Sequence, residues 1–341
     1  MSRRADESIV PHVKEQLLEL GSKRGPILVG PWLSEIGFEV LYWIPFLRWA
    51  FAYAGIPPED VYIVSRGGPR SWYADLSPNY LEILEHYTPQ EFRAGNARRV
   101  SEQEASSVAI GLRHRRASAK QHTITAFDRE ILAKVTKATG LEHARVLHPS
   151  LMYGLFRLFW RRQMPKLYDE MTQPKRITMQ TVAAGLPASY VAVKLYASPA
   201  CNDRHPLNRR LVREMVHGIV QHSDVVLLHS GTKYDDHGEF PIDPHPRVRT
   251  VPLEPATNLE TQSAVIAGAN AFVCTYGGFA YLGPFLGTTT RTIYATPNFR
   301  RDHRDLMGSV AASILRTPLT VEAIGGGIAH KVAPRKRQHA A

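Results

Sequence analysis

The sequence predicts an α/β protein made of two parallel-sheet domains. Three observations carry this expectation. Short apolar runs of the kind a sheet buries on both faces recur at 26–30, 60–65, 190–195, 225–228 and 271–274. Segments with apolar residues at helical spacing separate them, which is the alternation that builds parallel sheets. The pattern then restarts after Gln173 to Pro187, whose Pro174 and Gly185-Leu186-Pro187 read as an interdomain linker. A length of 341 residues suits about two domains, placed at 1–185 and 188–325, with a basic tail at 326–341 expected to be disordered.

In the first half, Ile9, Val13, Leu17 and Leu20 mark one face of a helix that Gly21 to Gly25 ends. Pro26 to Gly30 is a buried strand, followed by a glycine- and carboxylate-containing loop and an apolar helix, from Pro31 to Trp49. Glu35 and Glu39 lie in this stretch; each could cap the helix by binding its first N–H groups. Trp32, Phe38, Tyr42, Trp43, Phe46 and Trp49 are core or cleft wall, or a surface on which a sugar stacks. Asp60 to Ser65 is the next strand. Arg66-Gly67-Gly68-Pro69-Arg70 follows at its carboxyl end, where Arg66 or Arg70 meets an anion or simply lies in a solvated loop. Ile83, Leu84 and Tyr87 stand at helical spacing within 72–87. Residues 94–122 are polar, basic and without apolar periodicity, and read as a loop or insertion. A helix follows around Phe127, Ile131, Leu132 and Val135, ended by Gly140, then a short strand at 144–147. Residues 152–163 are amphipathic, with Phe156, Phe159 and Trp160 beside Arg157, Arg161 and Arg162. They form either a membrane-surface helix or a packed helix with snorkelling arginines.

The second half opens with the strand Tyr190 to Leu195, interrupted near its carboxyl end by Lys194. Asn202, Asp203, Arg204 and His205 lie in the loop beyond it. A helix carries Leu207, Leu211, Met215 and Ile219, and the next strand runs into His229-Ser230-Gly231-Thr232-Lys233, where Ser230 and Thr232 are candidates for base, ribose or phosphate. The polar run 233–239 matches no strong metal-ligand spacing, so no metal is expected. Glu254 follows a short β-prone run at 248–251. Thr257 and Glu260 have the spacing of a capping box, so a helix starts there and ends at Gly268. After the strand 271–274, Thr275-Tyr276-Gly277-Gly278 turns the chain into a helix at 279–286, and 291–294 closes the unit as a strand. A helix that starts at a glycine turn presents unpaired N–H groups and the positive end of its dipole, which attract phosphate. The bland alternative is a tight turn without a ligand. A last short helix precedes the tail.

Hydrophobic residues at 44% and charged residues at 21% are ordinary for a globular chain, and a formal charge of +11 points to anionic partners. The basic residues are spread along the chain, whereas a nucleic-acid protein concentrates them on one module, so no nucleic acid is expected. Two cysteines make no disulfide framework, no apolar export segment opens the chain, and no window approaches the ~20 apolar residues that span a bilayer. A cytoplasmic protein is expected, with peripheral membrane contact left open. Neither Gly-x-Gly-x-x-Gly after a first strand nor a P-loop is present, which argues against a nicotinamide dehydrogenase and a P-loop ATPase.

The stretch from Tyr190 to Tyr294 resembles the nucleotide-sugar half of the GT-B glycosyltransferases, where a small residue, a Gly-Gly or Gly-Ser turn and a helix hold the donor diphosphate. The first half is similar only in outline, through the glycine-containing loop of 30–49. This resemblance implies two Rossmann-like domains facing a cleft, and transfer of a sugar from a nucleotide-sugar donor to a saccharide or lipid-linked hydroxyl in polysaccharide or glycolipid synthesis. No cofactor beyond the co-substrate and no obligatory metal are implied. It casts Glu35, or alternatively Glu39, as the base, and Trp32 and Arg66 as acceptor contacts. Lys194, Arg204, Ser230, Thr232, Glu254, Thr275, Tyr276, Gly277 and Gly278 become donor contacts, with Lys194 on the diphosphate and Glu254 on ribose. The Glu-x7-Glu motif of retaining members is missing, because Glu254 and Glu260 are six apart, which leans toward inversion. A non-catalytic GT-B-like nucleotide-binding protein, or a basic nucleic-acid-binding protein, are the rival readings.

Overall fold

Both sets of apolar runs become parallel sheets. The structure is a computed structural model that describes residues 8–109, 120–181, 183–229 and 238–324, with backbone alone at 106–109. It divides into two units: one formed by Met1–Lys175 with Pro255–Leu259, the other by Arg176–Glu254 with Glu260–Ala341. The expected linker is held at both ends of its first stretch, since Gln173 N–H donates to Pro45 in the first unit and Ile177 N–H to Phe285 in the second.

In the first unit, helix α1 (Ile9–Gly21) precedes β1 (Ile27–Val29). The chain then forms α2 (Ile36–Phe38), a π-helical turn (Glu39–Trp43) and α3 (Ile44–Ala54), which Gly55 ends in the left-handed conformation. Next come β2 (Val61–Ser65), α4 (Arg70–Tyr73), β3 (Asn79–Glu82), α5 (Pro89–Ala109), α6 (Ala126–Thr139), β4 (Arg145–Leu147), α7 (Ser150–Trp160) and α8 (Leu167–Glu170). The strands pair in parallel in the order β3-β2-β1-β4, with Ile27 opposite both Val61 and Arg145. A capping box between Thr125 and Asp128 starts α6. Trp32, Trp43, Tyr42, Phe46, Tyr153, Phe156 and Tyr168 are all sealed from solvent, in stacked and edge-on contacts. Helix α7 spends its apolar face (Met152, Tyr153, Leu155, Phe156, Leu158) on this core, so the packed alternative describes it. No helix among the described residues is long and apolar enough to cross a membrane.

Two expectations for this unit fail. The composition of 94–122 predicts a loop, but α5 runs to Ala109, and 110–119 lie outside the described residues. The inner face of this helix is polar, which erases the apolar period: Arg99 donates to Asn96, and Gln103 donates to the carbonyl and hydroxyl of Thr123. Phe92 and Gly95 complete that face, Gly95 lying against the Phe127 ring, where a Cβ would stand at 2.2 Å. The helical spacing at Ile83, Leu84 and Tyr87 is likewise misleading, because 79–82 is strand β3, followed by a 3-10 turn. Tyr80 and Glu82 point inward at alternate positions, the strand period.

The second unit contains β5 (Tyr190–Lys194), α9 (Pro206–Val220), β6 (Asp224–Leu227), β7 (Val248–Thr250), α10 (Asn258–Gly268), β8 (Ala271–Thr275), α11 (Gly278–Phe285), β9 (Thr290–Tyr294), α12 (Arg301–Val310) and β10 (Leu319–Ala323). The six parallel strands run β10-β9-β8-β5-β6-β7. Counted from β5, this is the 3-2-1-4-5-6 order of the Rossmann fold, and the first sheet repeats its 3-2-1-4 part. Strand β10 is an addition to the expected elements; its half-exposed alternation reflects its place at the sheet edge. Val191, Val193, Val212, Val216, Val225, Phe240 and Val273 pack into one core between α9 and the sheet. Both units are therefore parallel α/β folds with a switch point beside their first strand.

Candidate functional site

In the first unit the loops after β1 and β2 meet at the carboxyl edge. Gly30 N–H donates to Leu147 and Trp32 N–H to Val64, which draws the loop across the sheet. Gly30 has φ 132°, and a Cβ there would lie 2.3 Å from the Val64 carbonyl, so this close crossing requires glycine. Trp32 is sealed between Trp43 and Tyr153, with ring centroids at 5.8 and 6.1 Å, so the expected acceptor contact is a core residue. Glu35 is exposed at the start of α2, and its side chain caps nothing.

Glu39 points the other way, with 0% exposure. Its Oε1 accepts from Tyr73 OH at 2.5 Å and Ser65 Oγ at 2.8 Å, while Oε2 stands 3.6 Å from Arg66 Nη1. Burial raises its pKa to about 7, against the opposing pull of the Arg66 charge and the hydrogen bonds from Tyr73, Ser65 and Arg66. Burial, and then the Glu39 charge, push the Tyr73 hydroxyl well above its ordinary value. A carboxylate so enclosed has no access to an acceptor hydroxyl, which corrects the alternative casting of Glu39 as base. Arg66 also donates to the Ser34 carbonyl through Nη2 at 2.7 Å, so its guanidinium braces the backbone just before Glu35.

Glu82 was missed by sequence reasoning. Its carboxylate receives the N–H groups of Gly67, Gly68 and Leu84 at 2.9, 2.6 and 2.8 Å and the hydroxyl of Tyr80 at 3.0 Å. Burial lifts its pKa to about 7, although the amide bonds from Leu84, Gly67 and Gly68 lower it. Gly67 and Gly68 have φ of 79° and 71°, the left-handed pair that aims successive N–H groups at one anion. Across the edge, His148 after β4 lies 3.2 Å from Asp128 through Nε2, and its Nδ1 accepts from Ser150 N–H. Burial alone would raise the Asp128 pKa; the hydrogen bond and charge of His148, with the Thr125 bonds, bring it below the usual carboxylate value. Gln121 joins this pair to the loop, donating to Asp128 and Pro31 and accepting from Leu33 N–H.

In the second unit the loops after β5 and β8 meet at the switch point. Thr275 is wholly buried, and its hydroxyl accepts from Tyr196 N–H at 3.1 Å. Tyr276 is buried too, its hydroxyl 3.0 Å from that of Tyr281 and its ring 4.2 Å from Phe299. Both side chains are thus structural, which corrects their casting as donor contacts. Gly277 has extended backbone, but a Cβ would stand 1.9 Å from Tyr196 Oη, so steric crowding requires glycine. Helix α11 begins at Gly278. Among the described residues no acceptor takes the N–H groups of Gly277, Gly278 or Phe279, while Ala280 N–H donates back to Gly277.

Lys194 is only 6% exposed and donates to the Leu228 carbonyl at 2.6 Å and to Glu239 Oε1 at 3.0 Å; its ammonium lies 5.4 Å from the Phe279 ring centroid. The lysine therefore lies beside the ring of Phe279, the second residue of α11. Arg204 and Glu254 are exposed, and no described contact ties either to the start of α11. Ser230 and Thr232 lie outside the described residues. Tyr196 and Glu239 had no sequence signal, because both gain meaning only from antiparallel pairing between 196 and 239. Among the described residues no three His, Cys, Asp or Glu side chains gather as a metal-ligand set.

No family model matches the chain, and no curated protein matches it. It is similar in structure to the E. coli heptosyltransferase WaaC with ADP, at 16% identity and a TM-score of 0.41, over 87% of this chain and 93% of that one. The E. coli ADP-heptose LPS heptosyltransferase II is similar at 12% identity and a TM-score of 0.40, over 88% and 90%. A UDP-GlcNAc 2-epimerase from Methanocaldococcus jannaschii is similar at 10% identity and a TM-score of 0.34, over 92% and 93%.

Proposed function

We propose that this chain is a GT-B-type glycosyltransferase that moves a sugar from a nucleotide-sugar donor to a hydroxyl acceptor, in cytoplasmic synthesis of a polysaccharide or glycolipid. The observation that carries this reading is the row of three N–H groups at Gly277, Gly278 and Phe279 that no acceptor among the described residues takes, at the switch point of a Rossmann-ordered sheet. A pyrophosphate there meets the positive end of α11, with Lys194 nearby. Developing charge on the departing diphosphate is stabilised by these fixed dipoles, which need no reorganisation as the bond to the sugar breaks. Glu35, exposed and braced through Arg66 and Ser34, is the base for the acceptor hydroxyl. One displacement with Glu35 as base inverts the anomeric centre. Diphosphate departure assisted by dipoles and Lys194 makes an added metal dispensable.

The test is a thermal-shift panel of ADP, UDP, GDP and CDP, followed by incubation with the matching nucleotide sugars and NMR of the anomeric proton of any product. A ligand that binds only the folded state raises the melting temperature. Absence of any shift with all four would refute the reading. A second reading, a non-catalytic nucleotide-binding protein, is favoured by the enclosure of Glu39 and the internal pairing of Lys194. A shift without turnover of any nucleotide sugar selects it.

A further inference from the structure

The Gly67–Gly68 amides, the Lys194 ammonium and the Gly277–Phe279 amides each attract an anion, and the first two already hold a carboxylate of the chain. The Gly67–Gly68 amides hold Glu82, and Lys194 holds Glu239, while the Gly277–Phe279 amides hold none among the described residues. The two internal carboxylates differ in kind. Glu82 is 3% exposed and satisfied by four donors, a permanent part of the interior. Glu239 has a side chain 23% exposed and reaches Lys194 from a short strap that is itself well anchored. In that strap Ala197 N–H donates to Gly238, Phe240 N–H donates to Leu195, and the Phe240 ring is buried in the core of the second unit. The backbone of the strap is fixed, whereas the Glu239 carboxylate lies at the solvent side of its ion pair.

Building on the nucleotide-sugar reading, we propose that Glu239 is an exchangeable counter-ion of Lys194, which cedes the ammonium to the phosphate of a nucleoside diphosphate and reclaims it when that product leaves. A nearly buried ammonium is costly without an anion, so an empty site needs a substitute. Glu239 supplies it. When a diphosphate lies along the start of α11, two anionic groups compete for one ammonium. Charged groups near this place include Lys194, Glu239 and Asp203, whose Oδ2 would lie 3.5 Å from a Cβ at Gly238, with His229 beside them, whose pKa is lowered by burial, raised by Glu239 and lowered by Lys194. The competition weakens retention of the leaving nucleotide, a step that often limits turnover. Glu239 is thus a positioning residue that acts through Lys194 and sets the affinity for product.

The experiment is calorimetric titration of ADP, UDP, GDP and CDP into the full chain, its E239Q and K194M variants, and the double variant, each checked for an intact thermal transition. Glu239→Gln is expected to tighten the nucleotide that binds by about tenfold, the size of one screened charge contact. Lys194→Met is expected to weaken it, and adding E239Q to K194M is expected to change nothing further. Unchanged or weaker binding by E239Q, or a gain that persists without Lys194, overturns the proposal while leaving the transferase reading intact. Failure of wild type and E239Q alike to bind any of the four refutes that reading and this inference with it. Should E239Q fail to fold, Glu239→Ala tests the same coupling.

Discussion

Replacing Glu39 with Gln tests whether a buried carboxylate in the first unit takes up a proton near neutrality. In the folded protein its pKa is about 7, against an ordinary value of 4.5. The folded state therefore binds more protons than the unfolded one between these values, and stability falls as pH rises through that window. A tenfold difference in proton affinity between the two states is worth about 1.4 kcal/mol, so wild type should lose roughly 2 to 3 kcal/mol from this group between roughly pH 5 and pH 8. Glutamine keeps an acceptor for Tyr73 and Ser65 but does not titrate. The stability of E39Q relative to wild type should then rise by about that amount over the same interval. Glu82 titrates in the same sense in both proteins and cancels in the difference. The assay is denaturant unfolding followed by tryptophan fluorescence, which reports the first unit alone, because Trp32, Trp43, Trp49, Trp72 and Trp160 all belong to it. A gap that does not vary with pH, or that moves against E39Q as pH rises, would refute the reasoning. It would show Glu39 ionised throughout and held so by Arg66.

Glu82→Ala strands three buried N–H groups and one hydroxyl, so it should cost at least about 3 kcal/mol in the same fluorescence assay. Glu35→Ala, at an exposed position, should stay within about 0.5 kcal/mol of wild type. Glu35→Gln should lower sugar transfer by about 100-fold or more with an unchanged melting temperature, as loss of a base does; retained turnover removes Glu35 from that role. Gly277→Ala should destabilise the second unit and abolish nucleotide-induced thermal shifts. Adding Tyr196→Phe should recover part of the stability, because the next nearest atom of that ring then lies 3.0 Å from the new Cβ.

Much of the second unit is legible in the sequence, since its central strands β5, β6 and β8 are mostly apolar and its glycine turn stands between a strand and a helix. The first unit hides more because its interior is partly polar. Helix α5 buries Arg99 and Gln103, so no period of apolar residues announces it. Glu82 reads as a surface residue until the left-handed Gly67 and Gly68 bring two amides to it, and no local pattern encodes that meeting. The same limit affects the site. Lys194 is visible as a break in an apolar strand, but Glu239 arrives 45 residues later along the chain. Glu35 and Glu39 look equivalent in a list of carboxylates. Only the fold separates them, one turned to solvent and one sealed against Tyr73 and Ser65.

Strand β8 lies beside β5, with Val191 opposite Ala271, yet it leaves the ribosome some eighty residues later. A nascent chain that ends before Ala271 therefore displays one flank of the Tyr190–Lys194 backbone without its neighbour, an apolar strand edge open to wrong pairing. Chaperone capture during synthesis should concentrate in that interval and cease once Thr275 has emerged and docked.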